Sequence, residues 1–230
     1  QGEMGGEKAA KQGNDAIMTP SAYLYFNFYQ GVAENEPLAI GGFTPLKKVY
    51  NYEPIPENLN EEQAKHIIGV QACTWTEYIA STSLLEYNDF PRLAAFSETA
   101  WSRKEMKSYD DFVKRLYSLL DIYKKIGINY SKSHFAITST TQIEQKDNKT
   151  KILVSLSTLS NNGVIRYTLD NTTPKANSSL YKKPVEVNDN ITLKALVFDN
   201  NNDISSPLFF ATYHINKATG KTYVMKDLNP

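Results

Sequence analysis

The sequence predicts an α/β half followed by an all-β half, with the change near Lys132. Three observations carry this. Before that point lie helical patterns and nearly all the Glu and Ala. After it come short runs rich in Thr, Val, Ile, Tyr and Phe, punctuated by Asn, Asp, Gly and Pro. The hydrophobic period also falls from that of a helix toward two, which is the period of a strand with one buried face.

The elements follow in order. Residues 7–12 read as a short helix stopped by Gly13. Ala16, Ile17 and Met18, and then residues 67–72, are short apolar runs that each enter an aromatic and polar segment. They read as buried strands whose C-terminal ends open into loops, the arrangement in which a barrel of parallel strands keeps its chemistry. Between them, residues 31–59 hold four prolines and read as mostly irregular. Pro91 suits the start of a helix over residues 92–101, with Leu93, Phe96 and Ala100 on one face. The clearest helix spans residues 109–126. Ser108 and Asp111 have capping-box spacing, Phe112, Val113, Leu116, Leu119, Leu120, Tyr123 and Ile126 recur at helical intervals, and Gly127 supplies the stop. Beyond residue 135, strands are expected at 151–157, 164–169, 191–198 and 208–215. They are separated by Asn161-Asn162-Gly163, Asp170-Asn171 and residues 200–203. Short strands with such turns predict an antiparallel sandwich, and a length of roughly 95 residues is near that of an immunoglobulin-like fold. The domains are therefore placed at residues 1–132 and 133–230.

Composition excludes several functions. With 25 basic and 25 acidic side chains among 230 residues the formal net charge is zero, so nothing draws the chain as a whole to nucleic acid or to an anionic membrane surface. No apolar run approaches the ~20 residues of a membrane span. Cys73 stands alone, so no internal disulfide forms, and no Cys and His cluster has zinc-site spacing. No metal or cofactor is expected. The chain opens on Gln1 and its first residues lack the apolar core of a signal peptide, which is read as a piece of a longer chain.

Chemistry concentrates in two places. In Gln71-Ala72-Cys73-Thr74-Trp75-Thr76-Glu77-Tyr78, an indole lies two residues from a carboxylate. An indole covers the apolar C–H face of a pyranose, and a carboxylate accepts hydrogen bonds from its hydroxyls. The second place is Tyr23-Leu24-Tyr25-Phe26-Asn27-Phe28-Tyr29, after Thr19-Pro20. Taken singly, each suits an ordinary core segment. His66, His134 and His214 are scattered, and Cys73 reads as a small packing residue.

Together, in this order, these segments resemble the C-terminal part of the catalytic domain of family-20 glycoside hydrolases, the β-N-acetylhexosaminidases. The resemblance rests on Ile17-Met18-Thr19-Pro20 leading to Tyr25, on Gln71-Ala72-x-x-Trp75-Thr76-Glu77-Tyr78, on Phe90-Pro91-Arg92-Leu93, and on Glu98-x-Ala100-Trp101-Ser102. Ile165-Arg166-Tyr167-Thr168-Leu169-Asp170-x-Thr172-x-Pro174 resembles the β-sandwich that often follows. The resemblance implies the last units of a (β/α)8 TIM barrel, then an immunoglobulin-like sandwich. It implies removal of terminal β-linked N-acetylglucosamine or N-acetylgalactosamine with retention, the substrate's 2-acetamido group acting as nucleophile. Tyr25 then matches the tyrosine that donates to the acetamido oxygen. Trp75 matches the floor of the terminal-sugar subsite, Glu77 the carboxylate for the outer hydroxyls, and Asn27 occupies a position where most members have Asp. Glu98 and Trp101 are expected to brace their helix against the barrel. The family's Asp-Glu pair is missing from all 230 residues, so this chain alone is expected to be inactive. Amino-sugar glycans are the implied partners, and periplasmic or secreted the implied location. The alternative is a carbohydrate-binding or spacer module, and cut barrel edges would favour oligomerisation.

Overall fold

The computed structural model describes residues 2–146, 149–160 and 163–221. The chain divides into two compact units, Gln1–His134 and Phe135–Pro230.

In the first unit, helix α1 (Glu3–Lys11) ends ahead of Gly13, whose φ of 76° lies in the left-handed region. Strand β1 (Ala16–Met18) buries Met18 at 2% exposure and leaves Ile17 open at 54%. Next come α2 (Ser21–Leu24), α3 (Leu46–Tyr50) and α4 (Glu61–Ala64). Helix α4 carries a complete capping box: Asn60 Oδ1 accepts from Gln63 N–H (2.9 Å) while Gln63 Oε1 accepts from Asn60 N–H (3.1 Å). Strand β2 (Ile67–Val70) pairs in parallel with β1 in a two-stranded sheet. It stops short of the expected Ala72, because Gln71 and Ala72 already belong to the loop.

Helix α5 (Thr82–Asp89), capped by Ser81, leads through a cis Phe90–Pro91 peptide into α6 (Arg92–Trp101). The buried face of α6 is Arg92, Ala95 and Thr99, not the expected Leu93, Phe96 and Ala100. The face rotates because Arg92 finds enough main-chain acceptors to enter the core, while Ala100 is exposed. Glu98 accepts from Arg115 through both carboxylate oxygens and so ties α6 to the next helix. Trp101 is 90% exposed within these 230 residues.

Helix α7 (Tyr109–Ile126) has the bounds its pattern predicts. Ser108 Oγ accepts from Asp111 N–H, and Gly127 ends the helix with φ at 80°. Phe112, Val113, Leu116, Leu120 and Tyr123 form its buried stripe. Replacing an N-cap hydroxyl orphans a helix donor, so Ser108→Ala is expected to lower stability by about 1 kcal/mol. Urea denaturation followed by far-ultraviolet circular dichroism checks this, and an unshifted midpoint contradicts it.

The second unit contains two antiparallel sheets. One runs β3 (Thr138–Lys146), β4 (Lys149–Ser157), β7 (Val185–Val187). The other runs β6 (Ser179–Leu180), β5 (Gly163–Thr168), β8 (Ile191–Asp199), β9 (Phe209–Tyr213). Their shared core takes Ile152, Val154, Leu156, Val185 and Val187 from the first sheet and Ile165, Leu193, Ala195 and Val197 from the second. Alternation in β4 is thus what the sequence shows. Of the expected turns, Asn161 and Asn162 lie outside the described residues.

Candidate functional site

The site grows out of the C-terminal ends of β1 and β2, where the pairing of the two strands continues into their loops. Gln71 N–H donates to Met18 O (3.0 Å), Cys73 N–H to Leu24 O (2.8 Å), and Phe26 N–H to Cys73 O (2.8 Å). Tyr25 and Cys73 form a parallel bridge. This ladder brings the two chemistry-bearing segments side by side. The Tyr25 and Trp75 ring centroids are 6.4 Å apart and inclined by 54°. Tyr25 also meets Phe28, at 5.6 Å.

Trp75 is 52% exposed, so its indole presents a surface rather than filling a core. Asn27 is the opposite case. It is only 8% exposed, and its Oδ1 is buried with no hydrogen-bond partner among the described residues. A buried acceptor without a donor costs about 1–3 kcal/mol, which an incoming hydroxyl or amide would relieve. Glu77 is exposed, at the turn where Ile79 N–H reaches Thr76 O (3.0 Å). The ladder therefore brings Tyr25 and Trp75 together, Asn27 lies two residues along the same loop, and Glu77 stands on the outer turn.

The loop of residues 25–30 is fixed from several sides. Thr44 N–H donates to Tyr29 O (2.8 Å), Ala39 N–H to Tyr29 Oη (3.3 Å), and Gln30 Nε2 to Tyr87 O (2.8 Å). A Cβ on Gly42, at φ 69°, would come within 2.3 Å of the Phe28 ring, so only glycine lets this turn close over the loop. Beneath it lies Arg92, fully buried. Burial pushes its guanidinium down to about 9, while Asp89 and Glu36 act in the opposite sense. Burial likewise raises the carboxyls of Glu36 and Asp89. Glu36 accepts from Ser133 Oγ and from Tyr87 Oη (3.1 Å), and Asp89 accepts from Thr74 Oγ1 (2.7 Å). Of these groups, sequence reading marks only the Phe90-Pro91-Arg92 motif and assigns it no task. Among the described residues, no group of three or more His, Cys, Asp or Glu could hold a metal, and no helix is long and apolar enough to cross a membrane.

Residues 1–104 match the family described as glycosyl hydrolase family 20, catalytic domain. Residues 1–104 belong to that family. The family-20 stretch thus includes β1, β2, both loops and all four expected site residues. Residues 154–212 match a second family, Fn3 associated.

A beta-hexosaminidase of Porphyromonas gingivalis is 35% identical over 197 residues, 81% of this chain but 24% of the relative. The alpha subunit of Bos taurus beta-hexosaminidase is 39% identical over 70 residues, 30% of this chain and 13% of the relative. The solved family-20 β-N-acetylhexosaminidase of Streptomyces coelicolor aligns with a TM-score of 0.50 at 26% identity, over 55% of this chain and 26% of that one. The chain spans about a quarter or less of the length of these relatives.

Proposed function

We propose that this chain is the C-terminal part of an exo-acting β-N-acetylhexosaminidase that removes terminal β-linked N-acetylglucosamine or N-acetylgalactosamine with retention of configuration. The supporting observation is the half-exposed Trp75 indole held 6.4 Å from the Tyr25 ring at the ends of two parallel strands. In this reading the indole forms the floor beneath the terminal sugar. Tyr25 Oη donates to the 2-acetamido oxygen and aligns it on the anomeric carbon. Glu77 and Asn27 take outer hydroxyls, so a chain end is recognised rather than an internal unit.

The acetamido oxygen displaces the leaving group to give an oxazolinium ion, which water then opens. Such chemistry needs an acid to protonate the departing oxygen and a carboxylate to support the acetamide. The family supplies these as an adjacent Asp-Glu pair, which these 230 residues do not contain. The chain alone is therefore inactive, and the full-length protein hydrolyses 4-nitrophenyl N-acetyl-β-glucosaminide or its galacto epimer with the β-anomer released first. Full-length protein without activity on either substrate overturns the reading.

The same reading makes the first unit the last segments of a (β/α)8 barrel, the second an immunoglobulin-like sandwich, and the location periplasmic or secreted. The two-stranded parallel sheet leaves strand edges unpaired, which favours self-association of the isolated chain. A monodisperse monomer by light scattering contradicts that.

Asn27 separates this site from one with an aspartate there. A neutral acceptor contributes about 1 kcal/mol less than a charged one. Asn27→Asp in the full-length protein is thus expected to lower KM roughly fivefold, and unchanged steady-state constants refute the assignment.

A carbohydrate-binding or spacer role for the second unit is the other reading. Of five aromatics in its strands, Tyr167, Phe209 and Tyr213 pack on the core, Phe198 is 4% exposed, and Phe210 is 52% exposed. A row of open rings of the kind that grips glycans does not form from these five, which favours the spacer.

A further inference from the structure

Arg92 offers five N–H donors, and all five go to main-chain carbonyls. Nε donates to Asn88 O (2.9 Å), Nη1 to Phe28 O (3.1 Å) and Thr44 O (3.0 Å), and Nη2 to Phe26 O and again to Asn88 O. The guanidinium also lies 4.8 Å from the centre of the Phe26 ring. Phe26 and Phe28 flank Asn27, so this one side chain grips the backbone on both sides of the orphaned amide and one residue beyond Tyr25. Thr44 extends the grip, because its hydroxyl donates to Ala22 O (3.3 Å) and its N–H to Tyr29 O (2.8 Å).

Three residues earlier, Asp89 receives the hydroxyl of Thr74, the neighbour of Trp75. One short segment spanning the α5–α6 junction therefore holds both loops. Packing alone does not call for this, since an apolar side chain fills a core without the desolvation that a buried charge demands. What the fork of donors supplies is a fixed geometry for the carbonyls of Phe26, Phe28 and Thr44, which belong to no helix or sheet.

We infer that residues 88–92 are the positioning element of the sugar subsite. Arg92 sets the Tyr25–Asn27 loop through its carbonyls, and Asp89 sets Trp75 through Thr74. Neither side chain touches the sugar. The inference rests on the two loops being that subsite.

The test uses the full-length protein with Arg92→Lys and Thr74→Val, each measured by thermal melting and by steady-state kinetics on 4-nitrophenyl N-acetyl-β-glucosaminide. Lysine keeps the charge but has three donors and no planar fork. Misplacing the loops is expected to lower kcat/KM about 10- to 100-fold in Arg92→Lys, with KM rising several-fold in both variants. A purely structural role reduces the folded fraction and leaves KM unmoved. KM within twofold of wild type in both variants overturns the inference, and if Arg92→Lys fails to fold, Thr74→Val decides it.

Hydrogen exchange of the peptides carrying residues 24–30 and 71–77, read by mass spectrometry on the full-length protein, gives a second readout that needs no catalysis. Faster exchange in either variant supports the positioning role, and unchanged exchange in both counts against it. An inactive wild type with faster exchange in the variants would instead refute the functional reading and leave the grip of residues 88–92 on the loops in place.

Discussion

Tyr25→Phe in the full-length protein is expected to reduce kcat by about 10²- to 10³-fold, the loss that follows removal of one preorganised donor to a developing charge. The substitution keeps the ring, and with it the contacts to Trp75 and Phe28, so the sugar platform survives and KM changes little. Loss confined to kcat marks an interaction realised in the transition state. The measurement is steady-state kinetics on a 4-nitrophenyl N-acetyl-β-hexosaminide, and a kcat within threefold of wild type would remove Tyr25 from the mechanism.

Trp75→Ala acts on the other constant. The indole is half open, and covering its face with a pyranose is comparable to burying a large apolar side chain, about 1.5–3 kcal/mol. The expected result is a KM raised by about 10- to 150-fold, with kcat reduced far less. Trp101→Ala serves as the control, since that ring is 90% exposed and distant in sequence from both loops. Equal effects from the two substitutions would show that the indole at Trp75 is no platform.

Much of the fold is written locally. Helix α7 could be bounded because its apolar residues keep helical spacing between a hydroxyl cap and a left-handed glycine. Strand β4 could be read because Ile152, Val154 and Leu156 alternate into the core. Strand β3 escaped because Thr138-Ser139-Thr140-Thr141-Gln142 is exposed residue after residue, so no alternation marks it. It exists through its pairing with β4 along its whole length. The buried face of α6 escaped for a different reason. Periodicity assigns a charged residue to solvent, and it takes acceptors from residues 26, 28 and 44, together with Asn88 one turn back, to make burial of Arg92 favourable.

The site divides along the same line. Trp75 and Glu77 could be named because the run Gln71-Ala72-x-x-Trp75-Thr76-Glu77-Tyr78 resembles the family's signature, whereas an indole two residues from a carboxylate suits a core segment when taken alone. The orphaned Oδ1 of Asn27 and the hold of Asp89 on Thr74 depend on contacts across the fold, which spacing does not encode.

The ladder that runs on from β1 and β2 into their loops gives the site a thermodynamic character of its own. Because the amides of Phe26 and Cys73 are locked across the two segments, neither loop can fray without breaking bonds to the other. Solvent exchange of those two protons then reports a single opening event, and substitutions on opposite loops combine with less than their separate energies.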